Sequence, residues 1–398
     1  NRAGRRILID APPITGDFDW APSPWIVIAV GVASVVVIGA HGIRSTRWAG
    51  MLMLATGLAA AWAVSLALLD GPAGLTDPVL ENHEYIHDVS AVGAVGDFLA
   101  GFTDRIAGYG VHVQGHPPGM VLGLWGLDGL GLGGTGWAAA LFVAGGVVAV
   151  PAALIAAREV AGEAAARQAA PFLILAPVAI WVASSADALY AGVGAWAVTL
   201  VVLATGRARA RSDVLALAGG LLFGVLCFLS YGLVLLAAIP LTVAWRRRRL
   251  RPVALAMIGA LPIFVMFLGA GFWWIDGLLA TKDRYFAGVG SRRPYVVFLI
   301  ANLAAFAVAL GPAIAVALSR LHDARLWLLV GGALTAVALA DLSGMSKGEV
   351  ERIWVPFTPW VLLAGAALVS RAPMSAAPWL GLQAGAAVLV ATLIRTPW

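Results

Sequence analysis

Apolar runs of about the length needed to cross a bilayer recur along this 398-residue chain, and its charges fall mostly between them. Inside hydrocarbon every backbone N–H and C=O must be satisfied within the protein, so a continuous apolar run can cross only as a helix. A spanning helix needs roughly 20 apolar residues. Trp25–Ile43, Trp48–Leu69, Trp137–Ala157, Pro252–Gly271 and Tyr295–Leu318 meet that requirement. Met120–Gly133, Gln168–Ser184, Asp187–Thr205, Leu215–Leu229, Gly232–Trp245, Leu326–Ala340, Pro356–Val369 and Trp379–Ile394 are shorter or broken. Charged residues make up 12% of the chain, against roughly 25% in a soluble domain. The expected fold is all-α: one polytopic transmembrane bundle over residues 1–398, of about 12–13 helices. An odd number of spans would put the two ends on opposite sides, so Met120–Gly133 is expected to be re-entrant, or one broken pair to cross once.

The basic composition does not point to nucleic acid. The arginines sit in short clusters between apolar runs: Arg44/Arg47, Arg207/Arg209/Arg211, Arg246–Arg249 with Arg251, Arg320/Arg325 and Arg371. Clusters of this kind mark cytoplasmic loops, and Arg158 and Arg167 join them. The opposite loops, Asn1–Pro24, Asp70–Gly119, Phe272–Pro294 and Ser343–Val355, then face away from the cytoplasm and carry an acidic excess. The expected location is a plasma membrane, crossed several times. Cys227 is the only cysteine, so a disulfide within the chain is excluded, as is a cysteine-based metal site. The chain opens on Asn1 rather than methionine, which points to a missing start, and no cleavable signal pattern precedes the first apolar run.

Loop 70–119 is about 50 residues long, and loops of that length are commonly functional or disordered. Val95, Phe98, Leu99, Phe102 and Ile106 recur at helical spacing and predict a short amphipathic helix on the membrane surface. The loop holds His83, His87, His112 and His116, and after Asp70 the acids Asp77, Glu81, Glu84, Asp88, Asp97 and Asp104, with the densest stretch at Glu81–Asp88. If helical, that stretch puts His83 with His87 and Glu84 with Asp88 on shared faces. A partly desolvated carboxylate there would have a raised pKa and could act as a general base; the alternative is a solvated polar loop. His83–His87 also matches the H-E-x-x-H zinc pattern letter for letter, but only Asp88 follows nearby as a further ligand. His116-Pro117-Pro118-Gly119 opens the next helix and holds His116 at the cavity mouth, or simply starts a helix.

Asp187 interrupts an apolar stretch, where an acid is costly unless paired or capping; Tyr231 lies at a similar break. The loop at 272–294 carries Arg284, Tyr285, Arg292 and Arg293 on the side where cations are disfavoured, which suits an anion such as phosphate. An interfacial aromatic belt is the simpler alternative. Lys347, Glu351 and Arg352 mark the last loop. Arg352 there either holds a phosphate, the favoured expectation, or pairs internally with Glu349 or Glu351.

Taken together, Glu84, His116-Pro117-Pro118-Gly119, the Asp187 break and Arg352-Ile353-Trp354-Val355-Pro356 resemble the GT-C membrane glycosyltransferases. His83-Glu84-Tyr85, Gly271-Phe272-Trp273-Trp274, Arg284-Tyr285, Glu351-Arg352-Ile353-Trp354 and Thr396-Pro397-Trp398 look more closely like the actinobacterial methylthioxylose transferase group. That group modifies mannose caps on lipoarabinomannan-type lipoglycans, and the likeness runs from about Asp70 onward. The resemblance implies a polyprenyl-phosphate sugar donor, a glycan or lipoglycan acceptor, and inversion at the anomeric carbon. It also implies Glu84 as base and Arg352, with Arg284, Arg292 or Arg293, on the donor phosphate. His83, Asp88, His116, Asp187, Tyr231, Tyr285, Lys347 and Glu351 would line the substrate site. No cofactor or metal is expected, since phosphate is already a good leaving group. Membrane lipids are the remaining expected partners. A transporter or lipid flippase is the competing class, and it predicts midplane charges and matching broken halves, which the chain lacks. A membrane metalloprotease is the third.

Overall fold

The computed structural model describes residues 13–369 and 375–397; Arg371 and Trp398 lie outside the described residues. The fold is an all-α multi-pass bundle. Among the described residues seven helices are long and apolar enough to cross a membrane: Ile26–Ser45, Trp48–Asp70, Thr135–Ala161, Ala186–Thr205, Arg209–Leu229, Arg251–Gly269 and Leu326–Ser343. Tyr295–Leu310 and Pro312–Arg320 make an eighth if counted as one span, although they meet at 95°. The sole strand pair among the described residues joins Asp17–Phe18 antiparallel to Ile394–Arg395.

The helix count falls below the expected 12–13 because several apolar runs break. Met120–Gly133 forms an eleven-residue helix, Gly119–Gly129, which covers only about half a bilayer at 1.5 Å per residue. The 168–184 run leaves its helix at Ile174 and continues as a 3₁₀ turn at Pro177–Trp181. The 356–369 run alternates short 3₁₀ and α pieces, with Pro356 and Pro359 in their first turns. An apolar composition says that a segment is buried, but proline and glycine decide whether it runs straight.

Close helix packing relies on small residues, as expected where lipid removes any hydrophobic drive between helices. A Cβ at Gly220 would lie 2.0 Å from the Ala256 carbonyl oxygen, and one at Gly192 2.0 Å from that of Gly145. These glycines seat Arg209–Leu229 on Arg251–Gly269 and Thr135–Val147 on the central Ala186–Thr205 helix.

One end of the bundle gathers the arginine clusters. Glu159 pairs with Arg207 (2.9 Å) and Arg247 (3.2 Å), Glu163 with Arg158 (2.7 Å) and Arg167 (2.6 Å), and Asp213 with Arg251. Loop 70–119 lies at the other end. Its apolar stripe turns inward instead of lying on a membrane surface: Phe98, Leu99, Phe102 and Ile106 are buried. Phe98 meets Phe102 at 5.6 Å, and Phe102 meets Tyr109 (5.2 Å) and Phe272 (5.6 Å). The Val95–Ala100 helix is only six residues long. Its stripe found a protein partner in the 272 loop, which removes it from lipid.

Candidate active site

Glu81–Glu84 forms a turn, and a 3₁₀ stretch follows at Tyr85–Ala91. The regular helix that H-E-x-x-H zinc binding needs is therefore absent, and Glu84 and Asp88 share no face. The His87 ring turns back to the Leu80 carbonyl at 3.0 Å. Asp88 Oδ2 accepts the Gly110 amide (2.8 Å), a bond that ties the loop's two halves together. Glu84 is left buried, 1% exposed, facing the bundle.

The Val111–Gly115 helix supplies the group that Glu84 meets. His112 Nδ1 stands 3.0 Å from Glu84 Oε1. On its other edge, His112 Nε2 stands 3.1 Å from Arg352 Nη2. Arg352 Nη1 donates to Asp187 Oδ2 at 2.9 Å, and Nη2 lies 3.4 Å from Glu349 Oε2. Asp187 is held in turn: Ser185 Oγ donates to its Oδ2 (2.9 Å) and accepts its amide (3.1 Å), capping the 186–205 helix. Capping and pairing are thus divided between neighbours, Ser185 doing the first and Asp187 the second. A buried run of carboxylate, imidazole, guanidinium and carboxylate results, with members up to 268 residues apart in sequence.

The protonation states follow from elementary chemistry. Burial holds His112 well below the ordinary histidine range, and the Arg352 charge adds to the effect, so its ring is neutral. A guanidinium only donates, so Nε2 must accept and the proton sits on Nδ1, toward Glu84. Burial raises the Glu84 pKa, while Arg352 and then His83 pull it down. The net shift is upward, which makes the carboxylate a better proton acceptor than a solvated one. His116 Nδ1 lies 2.8 Å from the His112 carbonyl, its ring against Tyr85 and Tyr190; burial lowers its pKa as well.

His83, Glu84 and His112 are the group of three among the described residues whose ligand atoms come within one ion's reach, 4.8 Å. A metal there would need the lone pair of His112 Nδ1. That would move the ring proton to Nε2, directly against the Arg352 N–H. The donor set suits zinc by type, but Arg352 opposes the tautomer zinc requires.

A second cluster adjoins the first through Glu349, whose carboxylate lies 3.5 Å from Arg293 Nη1 as well as 3.4 Å from Arg352. Glu349 has φ +64°, unusual for a residue with a side chain, and it follows Gly348 at φ +90°. Arg293 is buried, donates to the Lys347 carbonyl and lies over Phe298. Lys347 Nζ donates to the Gly290 carbonyl (2.7 Å), and its amide donates to the Tyr285 hydroxyl (3.0 Å). Asn302 fixes this loop, donating to Asp341 (2.8 Å) and to the Ser346 carbonyl (2.7 Å) and accepting the Gly348 amide (3.0 Å).

The sequence-derived residues therefore divide. Glu84, His83, His116, Asp187, Arg352, Arg293, Lys347 and Tyr285 converge. Glu351 is adjacent and fully buried. Arg284 is at the rim, its Nε on Gln114 Oε1 (2.7 Å), and Arg292 is exposed. Tyr231 packs on Trp274 (5.3 Å), on the flank of the 274–287 helix. Arg352 takes the internal pairing with Glu349, and Asp187 adds to it. His112, Glu349 and Asn302 were missing from the sequence-derived set. The one hint of His112 was its place among the clustered histidines.

No protein-family model and no curated protein sequence matches the chain. Among solved structures it is similar to ArnT from Cupriavidus metallidurans in the apo state, at 18% identity and a TM-score of 0.49, over 87% of this chain and 60% of that one. It is also similar to an oligosaccharyltransferase from Archaeoglobus fulgidus solved with Zn and sulfate, at 15% identity and a TM-score of 0.46, over 85% and 51%. The chain thus spans between half and three-fifths of the length of these two proteins.

Proposed function

We propose that this protein is a GT-C-type membrane glycosyltransferase that moves a sugar from a polyprenyl-phosphate donor to a cell-envelope glycan or lipoglycan. The methylthioxylose transferase group remains the finer expectation for the sugar. The observation that carries the reading is the convergence of Glu84 and Arg352 on His112 at one end of a lipid-embedded bundle. A transporter would spend such charges along a path through the membrane; here they gather at the loop end. Two-sided use of the bilayer follows naturally: a polyprenyl tail dissolves among the exposed apolar helices while its phosphate meets the loop end. The arginine-rich opposite end fits the cytoplasm, so the site faces away from it, at the plasma membrane.

In this mechanism Glu84 takes the proton of the acceptor hydroxyl as the oxygen attacks the anomeric carbon. The bond from that carbon to the phosphate oxygen breaks, and the lipid phosphate leaves with the electron pair. Attack opposite to departure inverts the centre. His112 carries no charge and stands between the Glu84 carboxylate and the Arg352 guanidinium. The Glu349 carboxylate occupies an anion position between two guanidiniums, and the donor phosphate would take it over. Arg293 and Arg352 then stabilise charge as it develops on the leaving group, with Arg284 and Arg292 at the rim.

Glu84→Gln tests this. Loss of a general base costs roughly 10²–10⁴-fold in rate, with binding of decaprenyl phosphate unchanged. Since burial raises the Glu84 pKa, the acid limb of kcat/KM should lie above the ordinary carboxylate value of 4.5. Unchanged transfer by Glu84→Gln would remove Glu84 from the chemistry. Glu349→Gln should bind decaprenyl phosphate more tightly, by roughly ten-fold for one like charge removed.

A further inference from the structure

The end of the bundle opposite Glu84 holds more guanidiniums than its acids can pair. Eight arginines fall at 207–211 and 246–251. Two acids reach them: Glu159 takes Arg207 and Arg247, and Asp213 takes Arg251. Arg249 Nη1 donates to the carbonyls of Thr205 (3.2 Å) and Arg207 (3.3 Å). These bonds lay the 246–251 turn along the 205–213 segment. Arg209, Arg211, Arg246 and Arg248 are exposed and make no hydrogen bond or ion pair among the described residues. Asp213 reaches Arg209 only as a more distant charge.

The backbone around these four charges favours an anion too. The helices Arg209–Leu229 and Arg251–Gly269 both begin here, and neither has a side-chain cap or an acid in its first turn. A helix N-terminus carries partial positive charge and unpaired N–H groups. The chain nevertheless puts Arg209 and Arg211 in one first turn and Arg251 in the other, like charge against like. Arg248 adds a backbone cost. It has φ +54° at the end of the Ala238–Arg246 helix, where its amide donates to the Trp245 carbonyl (3.0 Å) and the Arg249 amide to the Ala244 carbonyl (2.8 Å). Glycine is the usual residue at that point, so a guanidinium is kept there against backbone preference. Exposed apolar side chains adjoin the charges: Trp245 is 73% exposed, Val214 68% and Leu250 45%.

We infer that this face binds an anionic phospholipid, its phosphate held by Arg209, Arg211, Arg246 and Arg248 and its acyl chains lying against Trp245, Val214 and Leu250. Guanidiniums without partners and uncapped helix starts both attract phosphate oxygens. A small soluble anion has no use for the apolar rim, which a diacyl tail covers. Basic clusters at the inner end of spanning helices draw anionic headgroups, with a gain in affinity of roughly five-fold per arginine. None of these residues belongs to the Glu84 cluster, and the face binds such a lipid whether or not the chain transfers sugar.

The test uses the full chain in an uncharged polyoxyethylene detergent, titrated with dioleoyl-phosphatidylglycerol or dioleoyl-phosphatidylcholine, with bound lipids counted by native mass spectrometry. The wild type should prefer phosphatidylglycerol. Arg209→Gln with Arg211→Gln, and Arg246→Gln with Arg248→Gly, should each weaken its binding roughly 30-fold, five-fold per arginine, and leave phosphatidylcholine unchanged. Arg248→Gly alone guards against a folding artefact. Freed of its left-handed arginine, it should melt above the wild type in detergent alone, yet gain less from added phosphatidylglycerol. Inorganic phosphate in place of lipid should not raise the melting temperature. A rise equal to that from phosphatidylglycerol would mean that the arginines hold a free anion, and the lipid assignment falls. Equal binding of the two lipids by the wild type also overturns it, as does either double variant binding phosphatidylglycerol as tightly as the wild type. The four arginines would then be solvated charges that mark the cytoplasmic side and nothing more.

Discussion

At the residue scale, burial sets the chemistry of the loop end. Glu351 shows its cost without an obvious return. The residue is 0% exposed. Burial pushes its pKa from 4.5 up to about 7 and the Glu349 charge adds to the rise, while the backbone N–H groups of Glu351 and Thr15 and the Arg352 charge oppose it. A folded-state pKa raised above the unfolded one means that the folded chain holds the extra proton between the two values. Stability is therefore full below pH 4.5 and falls as pH rises toward about 7. The loss is on the order of 3–4 kcal/mol for a shift of this size. Glu351→Gln removes the titration and keeps the shape. Its melting temperature should exceed that of the wild type at pH 8, and the gap should close near pH 4.5. A gap independent of pH would mean that Glu351 stays ionised through a contact made in the native state. Glu84 lies in a similar setting, where burial also raises its pKa, but the charge of Arg352 is the first of the groups that pull it back down.

At the element scale, the helices that broke are the ones that shape the site. The 295–320 run turns 95° at Gly311, which has φ +86°. The turn frees backbone groups in an apolar setting, and one side chain satisfies them: Gln383 Oε1 accepts the Ala313 amide (3.0 Å) and Nε2 donates to the Leu310 carbonyl (2.8 Å). Gln383→Leu keeps the volume but strands both groups, each worth about 1–3 kcal/mol when buried. It should lower the melting temperature by several degrees. Gln383→Glu, which restores only an acceptor, should fall between. No loss with Gln383→Leu would show that the bend stands without its bridge. The sequence made the long runs legible, because continuous apolarity over roughly 20 residues has one structural outcome in lipid. It marked Asp187 because a charge among apolar residues demands a partner, and Glu84 and Arg352 through the polar loop motifs that hold them. The Gly311-Pro312 pair is the local mark of the bend, but nothing local to 295–318 encodes the glutamine 70 residues away that bridges it. Nor could the sequence show that Phe98 and Phe102 face Phe272, since periodicity marks an apolar face without saying what covers it. His112 escaped notice because its function lies in its two ring edges, and those acquire meaning only once Glu84 and Arg352 flank it.

At the scale of the whole molecule, charge is sorted by end. Arg158, Arg167, Arg207, Arg247 and Arg251 pair with acids at one end, while the loop with Glu84 lies at the other. A basic excess at one end is the signature of the cytoplasmic side, and the proposed function requires that orientation: the donor phosphate, the acceptor glycan and Glu84 must share the opposite side. Cys227 makes the question easy to ask, because it is buried within the 209–229 helix and is the only thiol. Single cysteines placed at the exposed positions Asp104 and Arg209, in a Cys227→Ser background, can be labelled in intact cells with a maleimide that does not cross membranes. Asp104→Cys should react in intact cells, and Arg209→Cys only after lysis. The reverse pattern would put Glu84 in the cytoplasm, where envelope glycans are absent, and the proposed acceptor would have no access to the base.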